Sequence, residues 1–325
     1  MNRLIPVLGL LAVSVAFAPA QREGRAEKIN RGQENTPWVL RKAIDVASKL
    51  RYVGSRTVEF RKDGKTERYT ELVTKDGDNL RIEFPSGSKY AGQIIVEGKD
   101  ERRHFFPDKN EIHILPPRRE EAMSRLARMV KRPGRFVLSS ADGEVVAGNP
   151  TTQVVVSDQK GNVMQRLFIS RSGLLLKREM FDPVGTPVGG FEFTSVDTSP
   201  KIYPGLFRLE RKGAKVVRPT DMLRSAAQEG GFVFAMLKPS TGYNLMFSRA
   251  SKADGNDLLM QFYAQDGQRL SLFQVKSEVS SEQLSEFAHD LQVYSFKSRG
   301  NTFILMGTQD VADLKKLSRA MTYGN

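Results

Sequence analysis

The chain has 325 residues, no cysteine and a formal net charge of +13 at pH 7. This length exceeds what a single hydrophobic core commonly supports, so two domains are expected. The absence of cysteine excludes disulfides, thiol catalysis, cysteine zinc sites and lipid attachment at a lipobox cysteine. A hydrophobic content of 39% and a charged content of 27% are typical of a globular protein.

The N-terminus has the pattern of a secretory signal. Residues 4–17 are apolar but too short for a membrane-spanning helix of ~20 residues. Small residues predict cleavage after Ala20, because cleavage after Ala18 would leave a proline at the cut. An uncleaved membrane anchor is the alternative. The sequence therefore predicts a signal peptide over residues 1–20 and a periplasmic or otherwise exported protein that is soluble after cleavage.

Composition divides the rest of the chain into four parts. Residues 21–35 are polar and aperiodic, which predicts a disordered leader. A strand-rich domain is predicted over residues 36–210, a charged linker over 211–230 and a smaller domain over 231–325.

The positive charge is concentrated before the second domain. From residue 231 onward the chain has ten Lys and Arg against nine Asp and Glu, so nearly all of the excess lies earlier. In an exported protein the expected polyanion is a lipid headgroup, lipopolysaccharide or cell-wall polymer rather than nucleic acid. The alternative is that the high pI reflects solubility or a general bias of the lineage toward basic proteins.

The first domain is predicted to be one helix followed by an antiparallel meander. The helix is expected near Pro37, with Asn35 or Thr36 as its cap. The strands are alternating apolar runs between tight turns such as Asp63-Gly64. They are "YVGSRTVEFRK", "ERYTELVTK", "NLRIEF", "QIIVEG", the hairpin at 102–115, "RFVLSS", "TQVVVSD", "VMQRLFIS", "LLLKREMF" and "GGFEFTSVD". A second helix is predicted at Arg119–Lys131.

The second domain is predicted to mix strands and helices. Its strands include "NLMFSRA", "DLLMQFYAQ", "RLSLFQVKS" and "TFILMG". One helix is predicted at "SSEQLSEFAHDL", which has serine caps and an acidic first turn. A last helix is predicted at Gln309–Met321. The fold class is therefore α+β, with a large curved antiparallel sheet closed by helices and a small C-terminal α+β domain.

Two of the three histidines lie in "RRHFFPDKNEIHIL", residues 102–115. The segment from Pro107 to Asn110 has the composition of a four-residue turn, which predicts that His104 lies opposite His113 on neighbouring strands. These imidazoles and Glu111 suit zinc or copper, but a stable site needs three or four ligands and no other is near. We therefore expect a polar pair, no metal and no cofactor.

Catalytic motifs are absent from the sequence. It contains no G-x-S-x-G elbow, H-E-x-x-H helix, P-loop or G-x-G-x-x-G turn. His289 beside Asp290 is expected to stabilise the end of a helix. The chain is therefore predicted to be a binding protein and not an enzyme.

An open sheet that is partly covered by helices leaves an apolar face suited to acyl chains. If the helices pack tightly, the same residues form ordinary core. The candidate cavity residues are Leu80, Ile82, Phe84, Met123, Leu126, Met164, Phe168, Phe191 and Phe193.

Several segments resemble the MucB/RseB family of sigma-factor regulators. In the first domain they are "AIDVASKLRYVGSRTVEF", "DNLRIEFPSG" and "QIIVEGKDERRHFFPDKNEIHIL". In the second they are "AQDGQRLSLFQVKS" and "NTFILMGTQDVADLKKLSRAM". The resemblance spans most of residues 37–321, and the order of the two domains is its most specific feature. It implies a LolA/LolB-like sheet in the first domain.

The resemblance also implies a role in envelope stress. Proteins of this family bind the extracytoplasmic part of a membrane-anchored anti-sigma factor and shield it from proteolysis. Lipid or lipopolysaccharide can release the anti-sigma factor from this complex. A basic domain with an apolar cavity would suit an anionic amphiphile. The candidate headgroup residues are Arg102, Arg103, Arg118, Arg119, Lys131, Arg132 and Arg135.

Two other classes of function stay open from the sequence. One is a periplasmic lipid or lipoprotein carrier of the LolA type, which would have no need of residues 231–325. The other is a metal-dependent envelope enzyme that uses His104 and His113. The leading hypothesis is a non-enzymatic regulator whose partner is an anti-sigma factor.

Overall fold

The computed structural model of the chain describes residues 36–62, 64–117, 126–127, 130, 136–253, 256–265, 268–276 and 291–324. The predicted signal peptide, the leader and residues 280–290 of the helix predicted at 280–291 lie outside these ranges. So does most of the helix predicted at Arg119–Lys131, of which Leu126, Ala127 and Val130 are described and are helical. Contacts divide the chain into two compact units, the first ending at Val216 and the second beginning at Val217.

The first unit contains a sheet of twelve strands. They are β1 (Arg51–Lys62), β2 (Lys65–Asp76), β3 (Asn79–Glu83), β4 (Ile94–Glu97), β5 (Arg102–Phe106), β6 (Glu111–Leu115), β7 (Val137–Asp142), β8 (Thr151–Ser157), β9 (Val163–Ser170), β10 (Leu175–Phe181), β11 (Pro187–Asp197) and β12 (Lys215–Val217). Their order in the sheet is β12-β6-β5-β4-β3-β2-β1-β11-β10-β9-β8-β7. In this order, all ten neighbouring pairs between β6 near one edge and β7 at the other edge are antiparallel, as the sequence predicts.

The sheet consists of two meanders joined through its first strand. Strands β1–β6 form one meander and β7–β11 the other, and the pairing of β1 with β11 joins them. Register shifts interrupt this seam at Ser55/Arg56 and the β10–β11 pair at Met180/Phe181. Such bulges bend strands and increase their twist, which gives the curved sheet that the sequence predicts.

Helix α1 (Trp38–Val46) covers one face of the sheet. Its buried residues Leu40 and Ala43 pack against Val154, Leu167 and Ile169 of β8 and β9. The residue before the helix is Pro37, and no side chain caps the helix there. The N-cap residue is therefore Pro37 and not Thr36, Asn35 lies outside the described residues, and the position of the helix is confirmed.

The predicted linker at 211–230 is wrong. Part of it is strand β12 at the edge of the first sheet, and most of the remainder is helix α2 (Pro219–Gly230) of the second unit. The helix has proline in its first turn and is followed by Gly231, whose φ of 63° is the left-handed conformation that glycine adopts most easily. Leu223, Ala226 and Ala227 bury its apolar side.

The second unit contains a five-stranded sheet, a separate pair of short strands, and helices packed against them. Its strands are β13 (Ala235–Leu237), β14 (Asn244–Ala253), β15 (Asn256–Gln265), β16 (Gln268–Val275), β17 (Gln292–Ser298), β18 (Asn301–Gly307) and β19 (Met321–Tyr323). The sheet order is β14-β15-β16-β18-β17, and β13 pairs separately with β19. Helix α3 (Val311–Arg319), capped by Asp310, confirms the last predicted helix. One core joins α2, α3, the β13–β19 pair and one face of the sheet.

Within the described ranges, none of the helices has the length and hydropathy that a membrane crossing needs.

Two glutamines in the core of the second unit differ in their hydrogen bonding. Gln261 donates to the carbonyl of Ala235 at 3.0 Å and accepts from the hydroxyl of Tyr263 at 2.6 Å. Gln274 is equally buried, but its amide nitrogen and oxygen have no hydrogen-bond partner in the described part of the chain. An unsatisfied buried polar group costs about 1–3 kcal/mol. The core therefore carries a destabilising side chain at residue 274.

Replacing Gln274 with Leu is expected to raise the free energy of unfolding by about 1 kcal/mol, because it removes the unsatisfied amide and adds apolar contacts. The matched variant Gln261→Leu is expected to lower it by about 2 kcal/mol, since it leaves the Ala235 carbonyl without its donor. Urea unfolding followed by circular dichroism measures both. Equal losses in the two variants would contradict the difference in bonding.

Candidate functional site

The face of the first sheet that α1 covers is called the inner face here, and the opposite face the outer face. Directly opposed residues of antiparallel strands lie on the same face. Leu167, which contacts α1, is opposite Arg178, and Arg178 is opposite Phe191. Phe191 is in turn opposite Val58, and Val58 is opposite Tyr69. The inner face therefore continues from β9 across β1 to β2 and beyond.

Most of the predicted cavity residues that are described lie on this inner face. Register places Leu80 and Ile82 of β3 opposite Lys75 and Val73 of β2, on the face of Tyr69. Those on the inner face or packed against it are Leu80, Ile82, Phe84, Leu126, Phe191 and Phe193. Leu126 and Phe193 are almost fully buried, whereas Leu80, Ile82 and Phe191 are half-buried.

Two of the predicted cavity residues lie on β9, where Met164 and Phe168 alternate with Leu167. Met164 is exposed, whereas Phe168 is buried in one core cluster with Phe193, against which Leu80 and Phe191 pack. That these two residues line a cavity stays a prediction. Met123 lies outside the described residues. The last four residues of β9 are all buried, on both faces of the sheet. The sequence there does not alternate between apolar and polar residues, so it does not show which residues point to which face.

An aromatic cluster lies on the inner face where β1, β2 and the loop after β3 meet. Tyr69 is at its centre, with ring centroids 6.2 Å from Phe60, 5.8 Å from Phe84 and 5.0 Å from Tyr90. Phe84 is buried, while Phe60, Tyr69 and Tyr90 are half-buried. Half-buried aromatic rings are common anchors for a bound molecule. Of these four residues the sequence predicted only Phe84 as part of a site, although alternation along β1 and β2 puts Phe60 and Tyr69 on the same face.

Burial and the nearby carboxylate of Glu71 raise the pKa of Tyr69 to about 12. The phenol is therefore neutral at physiological pH, and its hydroxyl can donate a hydrogen bond to a ligand. At the rim of the cluster, Lys89 forms an ion pair with Glu67 at 2.9 Å.

Buried charged residues distinguish this face from a purely apolar lining. Arg56 forms an ion pair with Glu71 at 2.6 Å, and its guanidinium lies 4.8 Å from the ring centroid of Phe191. Arg102 lies 3.9 Å from Glu97, and both side chains are less than a tenth exposed. Since charges are rarely buried without partners, these groups are expected to hold the face in one arrangement.

The two predicted headgroup residues that the structure describes lie on opposite faces of the sheet. Arg102 lies on the inner face, but its neighbour Arg103 points to the outer face, where it pairs with Glu101 at 2.5 Å. One ligand on one face cannot contact both. The other five predicted residues, Arg118, Arg119, Lys131, Arg132 and Arg135, lie outside the described residues. Because Glu71 and Glu97 accompany the cations of the inner face, this face gives no support to an anionic headgroup site.

The histidine register is confirmed: His104 lies directly opposite His113. Phe106 packs against both imidazoles, with ring centroids 4.0 and 4.6 Å away. Each Nε2 has a partner, the amide oxygen of Gln93 at 2.8 Å for His104 and the carboxylate of Glu111 at 2.9 Å for His113. The hydrogen bond from His113 lowers the pKa of Glu111 below its ordinary value. In the described ranges, no three His, Asp or Glu residues are grouped to hold a metal ion.

The comparisons with known proteins give a distant likeness. Models of known protein families give no match, and neither do curated proteins. Among solved structures, one that resembles the chain is a LolA-superfamily protein from Nitrosomonas europaea, at 13% identity over 57% of this chain and 99% of that one, with a TM-score of 0.29.

The chain is also similar to MucB. In the complex of MucA and MucB from Pseudomonas aeruginosa, the identity is 14% over 91% of this chain and 99% of that one, with a TM-score of 0.46. A second MucB structure, in complex with MucA(peri), matches at 14% identity over 88% of this chain and 98% of that one, with a TM-score of 0.41. Both structures are of MucB, which belongs to the family that the sequence segments resemble.

Proposed function

We propose that the protein is an exported regulator that binds the extracytoplasmic part of a membrane-anchored anti-sigma factor. The observation that carries the proposal is the second unit, which has a continuous core of its own and is not needed by a protein that only carries lipid. The sequence resemblance to the MucB/RseB family supports the same role. The proposed activity is binding, and the described residues are assigned no catalytic step.

The inner face of the first unit is the proposed contact surface. Phe60 and Tyr90 are half-buried and pack on Tyr69, whose phenol is close enough to Glu71 and Arg56 for their charges to act on it. Aromatic rings next to a fixed charge pair are typical of binding hot spots, because they combine apolar area with directional hydrogen bonds. Release by a lipid that competes for this face is part of the proposal.

Affinity purification of the tagged full chain from envelope extracts tests the partner. We expect mass spectrometry to recover a single-span membrane protein encoded beside a sigma factor. The double variant Phe60→Ser, Tyr90→Ser is expected to lower its recovery at least tenfold, since hot-spot aromatic residues each contribute about 2 kcal/mol or more. The control is Val53→Ser, Leu72→Ser, which alters two exposed apolar residues of the outer face.

A lipid or lipoprotein carrier of the LolA type is the second candidate. It is favoured by the half-buried apolar residues of the inner face, which a sheet packed as ordinary core would cover completely. Recovery of lipoproteins, without any single-span protein, would establish the carrier and contradict the regulator. Recovery of neither would contradict both.

A further inference from the structure

A strap formed by residues 201–215 crosses the outer face of the first sheet and ends in β12. It contains one turn of 3-10 helix, Pro204–Phe207. Ile202 and Leu209 are buried at 8% and 2% exposure. Leu209 and Phe207 pack on the apolar outer face of β4, β5 and β6. The strap is therefore part of the folded unit.

Three arginines from alternate strands of the sheet fix the backbone of the strap. Arg51, Arg81 and Arg103, from β1, β3 and β5, donate to the carbonyl oxygens of Ile202, Leu206 and Leu209 at 3.4, 2.9 and 3.3 Å. Each also pairs with a carboxylate on the same face: Asp76 at 3.6 Å, Glu83 at 2.6 Å and Glu101 at 2.5 Å, in that order. The acidic groups beneath the strap are thus already paired.

The strap presents an apolar tip to solvent. Tyr203 is 72% exposed and Leu206 is 39% exposed, and Pro204 and Gly205 between them are also exposed. A tyrosine and a leucine held outward on a fixed backbone turn are not explained by packing within the unit. Tyrosine is the residue type that prefers the boundary between lipid headgroups and acyl chains.

Cations flank this tip on both sides. The strap contains Lys201, Arg208, Arg211, Lys212 and Lys215, and its single acidic residue is Glu210. Lys215 lies 3.8 Å from Glu111, and Arg211 lies over the ring of Phe105. Lys201, Arg208 and Lys212 are exposed and form no ion pair within the described residues. These three cations are therefore available to an external anion.

We propose that the strap is a docking surface for an anionic lipid bilayer, with Tyr203 and Leu206 entering the interface and Lys201, Arg208 and Lys212 binding headgroup phosphates. Charge complementarity favours this occupant, because free cations on both sides of an apolar tip match a surface that is anionic outside and apolar beneath. The proposal goes beyond the regulator function, since it needs a membrane and no protein partner. It places the membrane contact on the outer face, away from the aromatic cluster.

Co-sedimentation of the full chain with vesicles tests the proposal. Binding to phosphatidylcholine vesicles with one quarter phosphatidylglycerol is expected to exceed binding to pure phosphatidylcholine, and to fall with rising salt. A cation near an anionic bilayer raises partitioning about fivefold, so Lys201→Gln, Arg208→Gln, Lys212→Gln is expected to lower it at least tenfold. Tyr203→Ser, Leu206→Ser is expected to lower it several-fold and to leave the salt dependence in place.

Matched controls separate the strap from general charge and apolar exposure. Lys65→Gln, Lys160→Gln, Lys315→Gln removes three exposed cations elsewhere, and Val184→Ser removes an apolar side chain that is 86% exposed. Both controls are expected to bind like the unaltered chain. All variants share every other segment of the chain, so binding by another segment does not affect the comparison.

A fluorescence measurement locates the contact. Trp38 is the single tryptophan, so Trp38→Phe combined with Tyr203→Trp puts the only tryptophan at the tip of the strap. Its emission is expected to shift to the blue when anionic vesicles are added. An unshifted emission, or equal losses in the cation variant and its control, would overturn the proposal. Equal binding to both vesicle types would overturn the assignment to an anionic bilayer.

Discussion

Replacing Leu40 with Ala is expected to lower the free energy of unfolding of the first unit by about 3 kcal/mol. Leu40 is fully buried between α1 and the inner face, in the cluster that contains Val154 and Leu167. The loss combines the transfer of the removed carbons with the cavity that remains. Trp38, the single tryptophan, is in the same helix. Part of its side chain is covered in the folded state, so its emission is expected to change when α1 is released during urea unfolding.

The control for this experiment is Asp45→Ala, which changes an exposed residue of the same helix to the same residue. Its effect is expected to stay within about 0.5 kcal/mol. A cost below 1 kcal/mol for Leu40→Ala would mean that α1 does not depend on its packing against β8 and β9. The part of the inner face that α1 covers would then be accessible to solvent.

Replacing Lys177 with Met is expected to cost about 2 kcal/mol at pH 7. The Lys177 ammonium lies 2.6 Å from Glu144, 3.3 Å from Glu179 and 3.3 Å from Glu192, and its side chain is only 17% exposed. Without it, three carboxylates on the outer face lose their shared cation and repel one another. The measurement is again the free energy of unfolding in urea.

The stability difference between the Lys177→Met variant and the unaltered protein is expected to depend on pH in a defined direction. Burial alone lowers the pKa of Lys177, but hydrogen bonds to Glu144 and Glu192 outweigh it and hold the pKa well above the ordinary 10.5. A raised pKa in the folded state means that the contribution is complete below pH 10.5 and is lost as the pH rises beyond it. The difference between the two proteins should therefore be constant from pH 7 to 10 and decrease at higher pH. Lys160→Met, at an exposed turn, should show no such difference.

The strands of the first unit could be predicted because their turns are marked in the sequence. The turn from Pro107 to Asn110 sets the register of β5 and β6, and with it the pairing of His104 and His113. A turn of known length leaves one alignment of two short strands, so a local signal is enough. The division into a large sheet and a smaller α+β unit follows from the same punctuation.

Other features could not be predicted, for different physical reasons. Helix α2 has the signals of proline at its start and glycine at its end, but the cations around it suggest a linker. The phase of β9 is ambiguous, because Leu167, Phe168 and Ile169 are all buried on one face or the other. Arg102 and Arg103 look equivalent in the sequence, and only the register shows that they serve opposite faces.

The bilayer-facing role proposed for the strap likewise depends on three-dimensional information. Lys201 and Lys212 look like any other surface lysines in the sequence. The clamp of Arg51, Arg81 and Arg103 joins residues far apart along the chain. It is this clamp that turns a short irregular segment into a fixed surface.

The seam between β1 and β11 has a consequence for how the chain folds. Strand β1 begins at Arg51, and its second neighbour is not complete until Asp197. While the chain is being made, the twelve residues of β1 can pair with β2, but their other edge has no strand beside it. Contacts this distant in sequence form slowly, and an unpaired edge is prone to self-association. A chaperone that shields nascent chains should therefore matter most before residue 197 is available.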